Sequence, residues 1–159
     1  MKGNDKLITV LNSLLADELT VVNQYMVQSE LCANWGYGKL HQAIRKQAMD
    51  EMLHAEWLIE RIIFLDGVLT VSYLNPMKIG KNVLDMIKND NGDELDAVNK
   101  YNTAIQLARE VDDQGSADLL TKILKMEEEH VDWAEKQQAQ IEQMGIENYL
   151  VNQTEDSAN

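Results

Sequence analysis

The feature that most constrains this chain is a short pattern of acidic, histidine and aromatic residues that occurs twice. The pattern is Glu-x-x-His-x-acid-Trp, at residues 51–57 and again at 127–133, which is 76 positions later. The same offset relates a second pattern, Glu-Leu-x-x-Val-Asn-x-Tyr, at residues 18–25 and 94–101. The chain is therefore a duplication in which each half supplies one isolated Glu and one Glu-x-x-His.

Length and composition favour one helical domain. The chain has 159 residues, of which 45 % are hydrophobic, so we predict a single domain over residues 1–159 with a sizeable core. Leu, Ala, Glu, Gln and Lys are abundant and there is one Pro, which favours helices. Cys32 is the single cysteine, which excludes a disulfide framework and a Cys-x-x-Cys pair.

Charge and hydropathy limit the partners. The net charge of −13 argues against nucleic acid, because phosphate contacts need a basic face. No apolar run approaches membrane-spanning length, and the first residues do not resemble a signal peptide. We therefore expect a cytoplasmic protein with no membrane partner.

Apolar residues recur at steps of three and four through most of the chain, as in amphipathic helices. This periodicity predicts helices at residues 5–34, 39–66, 82–111, 117–144 and 146–152, followed by a polar tail at 154–159. Short turns at 36–38 and 112–116 make two antiparallel hairpins, and the β-branched, Pro-containing stretch 68–81 makes a long crossover. The predicted fold is all-α, a four-helix bundle with a short fifth helix at its C-terminal end.

One local conflict lies in the third helix. Asn91-Gly92 is a turn dipeptide elsewhere, yet it falls inside the helical periodicity. We expect the helix to continue through it, weakened by about 1 kcal/mol relative to Ala at Gly92.

The repeated patterns are predicted to converge. In an antiparallel hairpin, residues equidistant from the turn lie at one height, which places Glu18 level with His54. Residues three apart share a helix face, so both residues of each Glu-x-x-His point the same way. The candidate metal ligands are Glu18, Glu51, His54, Glu94, Glu127 and His130.

These six residues favour a two-metal site. Four buried carboxylates repel one another and lose hydration, a cost that two cations would remove. Oxygen ligands with two imidazoles favour iron or manganese over zinc, and they are the ligand set of ferritin-like di-metal bundles. A single Glu-x-x-His is common by chance on helix surfaces, whereas two copies at one offset with two level Glu are not.

Around these patterns the chain resembles bacterioferritin along essentially its whole length, through Met1-Lys2-Gly3, Trp35-Gly36, Met144-Gly145 and Asn148-Tyr149-Leu150. The resemblance implies iron storage with ferroxidase activity: Fe(II) is oxidised by dioxygen or hydrogen peroxide, and ferric mineral is stored in a cage of twenty-four identical subunits. It also implies a ferredoxin-type reductase as a partner in iron release.

The resemblance assigns roles to the six ligands. Glu18 and His54 would be terminal ligands of one iron, and Glu94 and His130 of the other. The remaining two carboxylates, Glu51 and Glu127, would bridge the two irons.

Met52 carries a second implication of the resemblance. It lies about 100° around its helix from Glu51, so it should point away from the metal face. In bacterioferritins this Met and its counterpart in a second subunit ligate one haem b between them. The alternative is a Met that packs a dimer interface without haem.

Three further residues are candidates near the site. Tyr25 and Tyr101 lie two turns beyond the isolated Glu residues, and we predict that they hydrogen-bond the bridging carboxylates or donate an electron. A core tyrosine with a satisfied hydroxyl is the alternative. Asp50 precedes Glu51 and either lines an iron access route or faces solvent.

Other function classes fit the sequence less well. A stand-alone di-iron oxidase of the rubrerythrin type usually adds an iron domain with four cysteines, and this chain has only Cys32. A DNA-protecting mini-ferritin builds its iron site between subunits and has a basic tail, whereas the tail here contains Glu155 and Asp156. A structural bundle with vestigial carboxylates, or a haem-carrying shell subunit, would not need the intact ligand set.

Overall fold

The computed structural model describes residues 1–154, which form five helices, α1 (Asp5–Asn34), α2 (Gly38–Phe64), α3 (Val83–Glu110), α4 (Gln114–Met144) and α5 (Ile146–Val151). No strand occurs within these residues. The predicted all-α architecture, four long helices and a short fifth, is confirmed. The rest of the predicted tail, 155–159, lies outside the described residues. Across 1–154, no helix is both long and apolar enough to cross a bilayer.

The four long helices pair as two antiparallel hairpins. The most extensive packing is α1 against α2 and α3 against α4. The hairpins meet through α1 with α3, also antiparallel, because Asp17 contacts Lys100 while the later residue Tyr25 contacts the earlier residue Glu94. The α2–α4 pair is antiparallel in the same way. Helices α2 and α3 consequently run in the same direction, which requires a crossover as long as the bundle.

Capping residues explain where α4 begins. Asp113 is its N-cap and accepts a hydrogen bond from the backbone N–H of Ser116. The guanidinium of Arg61 lies 2.5 Å from the same carboxylate. The helix therefore starts at Gln114, three residues before the predicted start, and Gly115 lies in its first turn rather than in the connection.

Helix α1 has the predicted bounds, as do the end of α4 and the start of α5, and the remaining boundaries differ from prediction by one or two residues. Helix α2 ends at Phe64 instead of residue 66, because Asp66 has a left-handed φ of 55°. Helix α3 is one residue shorter at each end, and α5 ends one residue early. As expected, α3 continues without a break through Asn91 and Gly92.

The core consists of two apolar clusters with a polar layer between them. Along α2, one cluster takes the buried apolar residues between 40 and 48 and the other takes those between 55 and 62. Glu51 and His54 lie between these segments and are buried. Helix α5 closes one end, where the fully buried Tyr149 donates a hydrogen bond to Gln137 at 2.7 Å.

Polar side chains of α1 hold the crossover against the bundle. The amide of Asn12 donates to the carbonyl of Val68 and accepts from the N–H of Thr70, both at 2.9 Å. More than three helical turns further along α1, the side-chain oxygen of Gln24 accepts a hydrogen bond from the N–H of Lys78 at 2.8 Å. The crossover is thereby fixed along the outer side of α1.

Two glycines provide a matched test of this packing. An added Cβ at the buried Gly80 would overlap the backbone nitrogen of Met86, so we expect Gly80→Ala to destabilise the fold by about 1–3 kcal/mol. A Cβ at the exposed Gly92, inside α3, would meet nothing within 4 Å, so Gly92→Ala should stabilise by up to about 1 kcal/mol. Thermal unfolding followed by circular dichroism measures both; equal midpoints for the two variants would contradict the account.

Candidate metal centre

All six predicted ligands lie in the polar layer between the two apolar clusters. Each of the four long helices contributes at least one of them, and every one is at most 6 % exposed. They are Glu18 on α1, Glu51 and His54 on α2, Glu94 on α3, and Glu127 and His130 on α4. The structure therefore brings together residues that are up to 112 positions apart in the sequence.

The six residues divide into two overlapping groups. Within each group, one nitrogen or oxygen from every residue lies within 4.8 Å of the others. The groups are Glu18, Glu51, His54, Glu127 and Glu51, Glu94, Glu127, His130. Two carboxylates, Glu51 and Glu127, belong to both groups. The geometry thus offers two adjacent cation positions that share two carboxylates.

The first position is built around His54. Its Nδ1 lies 2.9 Å from Glu51 Oε2, 3.2 Å from Glu127 Oε1 and 3.6 Å from Glu18 Oε2. The ring itself is fully buried. One nitrogen of His54 therefore faces three carboxylates from three different helices.

The second position is built around His130 in the same way. Its Nδ1 lies 2.9 Å from Glu51 Oε1, 3.4 Å from Glu127 Oε2 and 3.7 Å from Glu94 Oε1. The centroids of the His54 and His130 rings are 6.2 Å apart. The duplicated sequence has produced duplicated geometry.

Unpaired atoms show where a cation fits. Glu51 Oε1, Glu127 Oε2 and His130 Nδ1 are buried side-chain atoms without a hydrogen-bond partner. The two carboxylate oxygens lie 2.9 Å and 3.4 Å from His130 Nδ1, so the three atoms converge on one place without forming hydrogen bonds to one another. Buried polar atoms are normally paired, and leaving a carboxylate oxygen unpaired is costly. A cation between them would satisfy all three.

The protein groups also perturb one another's ionisation. Burial, together with the charge of Glu51, raises the pKa of Glu18 to about 8. Burial likewise raises the pKa of Glu94 to about 7, with Glu127 acting in the same direction. Burial alone would lower the pKa of His54, but its carboxylate partners raise it to about 12. Protons therefore compete with metal ions for these ligands.

The two tyrosines contact different carboxylates from those predicted. The hydroxyl of Tyr25 donates to Glu94, and the hydroxyl of Tyr101 donates to Glu18. The prediction that they bond the bridging carboxylates was wrong, because the antiparallel packing of α1 on α3 places each tyrosine beside the isolated Glu of the other hairpin. Burial and the neighbouring carboxylates raise both tyrosine pKa values well above the ordinary one, which keeps the hydroxyls as donors.

Two residues contact Nε2 of the histidines, the ring nitrogen that faces away from the carboxylates. Asp50 Oδ2 lies 3.3 Å from His130 Nε2, and the Asp50 side chain is 19 % exposed. Met126 Sδ lies 3.3 Å from His54 Nε2. Met126 was not among the predicted residues; the duplication marks its position, 76 residues after Asp50, but not its contact with His54.

A cleft between α1, α3 and the crossover leads from the surface to the centre. Its volume is about 350 Å³, and buried carboxylates of Glu18, Glu51, Glu94 and Glu127 line its floor. Its outer part is acidic and contains ion pairs from Lys100 to Asp17 at 3.0 Å and from Lys78 to Asp93 at 2.5 Å. The cleft offers cations a direct path to the ligands.

Met52 lies outside this centre. Its side chain is 49 % exposed, whereas the neighbouring Glu51 is 1 % exposed, so the two point in different directions from α2. Two other apolar residues near it, Met49 and Leu53, are also exposed. This outer part of α2 is therefore an apolar surface.

Comparison with known proteins agrees with this architecture. Residues 8–144 match the family model of the ferritin-like domain. The chain is 38 % identical to the bacterial ferritin of Synechocystis sp. over 154 residues, which is 96 % of this chain and 99 % of that protein. It is 37 % identical to the bacterioferritin of Streptomyces coelicolor over 94 % of this chain and 90 % of that one. It is 36 % identical to the bacterioferritin of Mycobacterium bovis over 94 % of each. The chain belongs to the bacterioferritins, within the ferritin-like family.

Proposed function

We propose that this protein stores iron and that its six-residue centre is a ferroxidase site. The observation that carries the proposal is the convergence of four buried carboxylates and two imidazoles as two groups that share two carboxylates. Hard oxygen donors with imidazole suit iron and manganese, and membership of the bacterioferritins favours iron. Iron is both the substrate and the cargo.

Each ligand has a role in this proposal. Glu18 and His54 hold one Fe(II), and Glu94 and His130 hold the other. The bridging ligands are Glu51 and Glu127, which belong to both groups of converging atoms. The hydroxyls of Tyr25 and Tyr101 hold the terminal carboxylates in place through hydrogen bonds.

Two adjacent iron positions match the electron count of the reaction. Each Fe(II) loses one electron, so a pair supplies the two electrons that reduce dioxygen, with two protons from solvent, to hydrogen peroxide. With hydrogen peroxide as oxidant, the same two electrons and two protons give two waters. The four carboxylates favour the reaction because they stabilise Fe(III) more than Fe(II).

The cleft supplies the iron. Its acidic outer residues and the overall charge of −13 attract cations toward the carboxylates at its floor. After oxidation, ferric ions move on to form mineral in the hollow centre of a cage of twenty-four identical subunits, as in the family that the chain belongs to.

We further propose that Met52 from two copies of the chain ligates one haem b at a twofold interface. An exposed thioether beside other exposed apolar side chains fits a flat, apolar macrocycle. When bound, such a haem carries single electrons, which suits the return of electrons from a ferredoxin-type reductase to stored ferric iron.

Removing a bridging carboxylate tests the centre. We expect Glu51→Gln to slow the fast phase of Fe(II) oxidation by more than about 100-fold, because both iron positions lose a charged ligand. Stopped-flow absorbance after aerobic addition of two Fe(II) per subunit measures this phase. Glu56→Gln, at an exposed position on the same helix, is the matched control and should leave the rate unchanged. Equal rates for the two variants would overturn the proposed site.

The raised pKa values predict how metal binding depends on pH. Glu18, with a pKa raised to about 8 from 4.5, and His54, raised to about 12 from 6.5, bind more protons in the folded chain than in the unfolded one. Chelator-treated protein should therefore lose stability as pH rises above 4.5. Because Zn²⁺ must displace these protons, it should raise the unfolding midpoint more at pH 8 than at pH 6. Scanning calorimetry measures both trends. Chelator-treated protein that is more stable at pH 8 than at pH 6 would contradict the first, and a larger Zn²⁺ effect at pH 6 would contradict the second.

The haem proposal has its own matched pair. Met52→Leu should abolish the haem absorption band of purified protein without changing its elution in gel filtration, because leucine keeps the apolar volume and removes the thioether. Met49→Leu changes an exposed thioether one turn earlier and should retain haem. Haem that persists in the Met52 variant would show that the ligand is another residue.

A further inference from the structure

We propose that the two metal positions are inequivalent, and that the His130 position binds a divalent cation more tightly than the His54 position. The inference rests on the proposed function, since it takes the six-residue centre to be a metal site. It adds an order of filling to that site, determined by two residues that do not touch the metal, Asp50 and Met126.

These two residues occupy equivalent places in the duplication. Asp50 immediately precedes Glu51, and Met126 immediately precedes Glu127. Because α2 and α4 are antiparallel, the residue before the Glu-x-x-His of one helix lies behind the histidine of the other. The two contacts have the same length, 3.3 Å from His130 Nε2 to Asp50 Oδ2 and 3.3 Å from His54 Nε2 to Met126 Sδ.

The chemistry of these two contacts differs. Each histidine directs Nδ1 toward the carboxylates of the centre, so a metal would bind Nδ1 and Nε2 would carry the proton. A carboxylate that accepts the Nε2 hydrogen bond orients the ring, fixes this tautomer and makes Nδ1 a better donor to the metal. A thioether sulfur is a weak acceptor and does so much less. His130 has the carboxylate of Asp50, and His54 has the thioether of Met126.

Each half also has a lysine one turn before this residue, and the two lysines contact different groups. Lys46 lies one turn before Asp50, and its ammonium contacts the Asp50 carboxylate at 2.8 Å, which fixes the carboxylate behind His130. The equivalent residue of the second half, 76 positions later, is Lys122. With Met126 one turn after it, the ammonium of Lys122 lies 3.6 Å from the centroid of the Trp57 ring instead. The supporting lysine has been kept in both halves, but the carboxylate it would position is present in only one.

The two positions should therefore differ in how tightly they hold a cation. A carboxylate behind a metal-binding histidine typically changes metal affinity by about 10–100-fold. The His130 position then retains its cation at concentrations at which the His54 position exchanges. In a ferroxidase cycle, the His54 position is the one through which successive irons pass.

The test is a calorimetric titration of assembled, chelator-treated protein with Co²⁺, monitored also by visible absorbance. We expect two steps of one Co²⁺ per subunit, with dissociation constants about 10–100-fold apart. His130→Ala should remove the tighter step, and His54→Ala should remove the weaker one. Equal affinities in the unmodified protein, or loss of the tighter step in the His54 variant, would overturn the inference.

Two reciprocal substitutions identify the cause. Met126→Asp places a carboxylate behind His54 and within one turn of Lys122, so the weaker step should tighten until the two steps merge. Asp50→Met should weaken the tighter step toward the weaker one. Ala139→Asp adds the same charge at an exposed position of α4 and should change neither step.

The outcomes separate the two proposals. Two Co²⁺ per subunit with an affinity ratio that neither reciprocal substitution changes would refute the role of Asp50 and Met126 and leave the metal centre standing. No Co²⁺ binding in the unmodified protein would refute the proposed function itself. One substitution adds a carboxylate and the other removes one. If one variant fails to fold, the other still tests the role of Asp50 and Met126.

Discussion

The burial of charge in one cross-section of the bundle is the constraint on which the rest of this structure depends. Four carboxylates and two imidazoles are each at most 6 % exposed, in a layer between two apolar clusters. Such groups lose hydration and repel one another, and their perturbed pKa values express that cost, as in the rise of Glu18 to about 8. Apolar packing on both sides of the layer offsets the cost, and cations in the layer would remove its cause.

The duplication explains why this layer has nearly the same residues on its two sides. Each half contributes the same residues, and the antiparallel pairing of α1 with α3 exchanges the tyrosine contacts, Tyr25 to Glu94 and Tyr101 to Glu18. The places where the halves differ are then informative. Met52 has Glu128 as its counterpart, which gives one half an apolar outer surface. Asp50 has Met126 as its counterpart, which gives the two histidines different support.

The helices and the contacts within each hairpin were predictable from the sequence, whereas the contacts between the hairpins were not. Helical periodicity and the two turns determine heights within a hairpin, so the meeting of Glu18 with His54 followed from the sequence. Contacts between hairpins depend on how α1 docks on α3 and α2 on α4, which no local pattern specifies. The tyrosine partners and the contact from Met126 to His54 are of this kind. The early start of α4 was missed because Asp113 was assigned to the turn rather than recognised as a helix cap.

The two-iron centre is tested most directly by a crystal structure of the protein loaded anaerobically with Fe(II), with an anomalous difference map measured at the iron absorption edge. We predict two peaks inside each four-helix bundle, one beside His54 and Glu18 and one beside His130 and Glu94, with Glu51 and Glu127 contacting both. A single peak, or iron bound only outside the bundle, would contradict it.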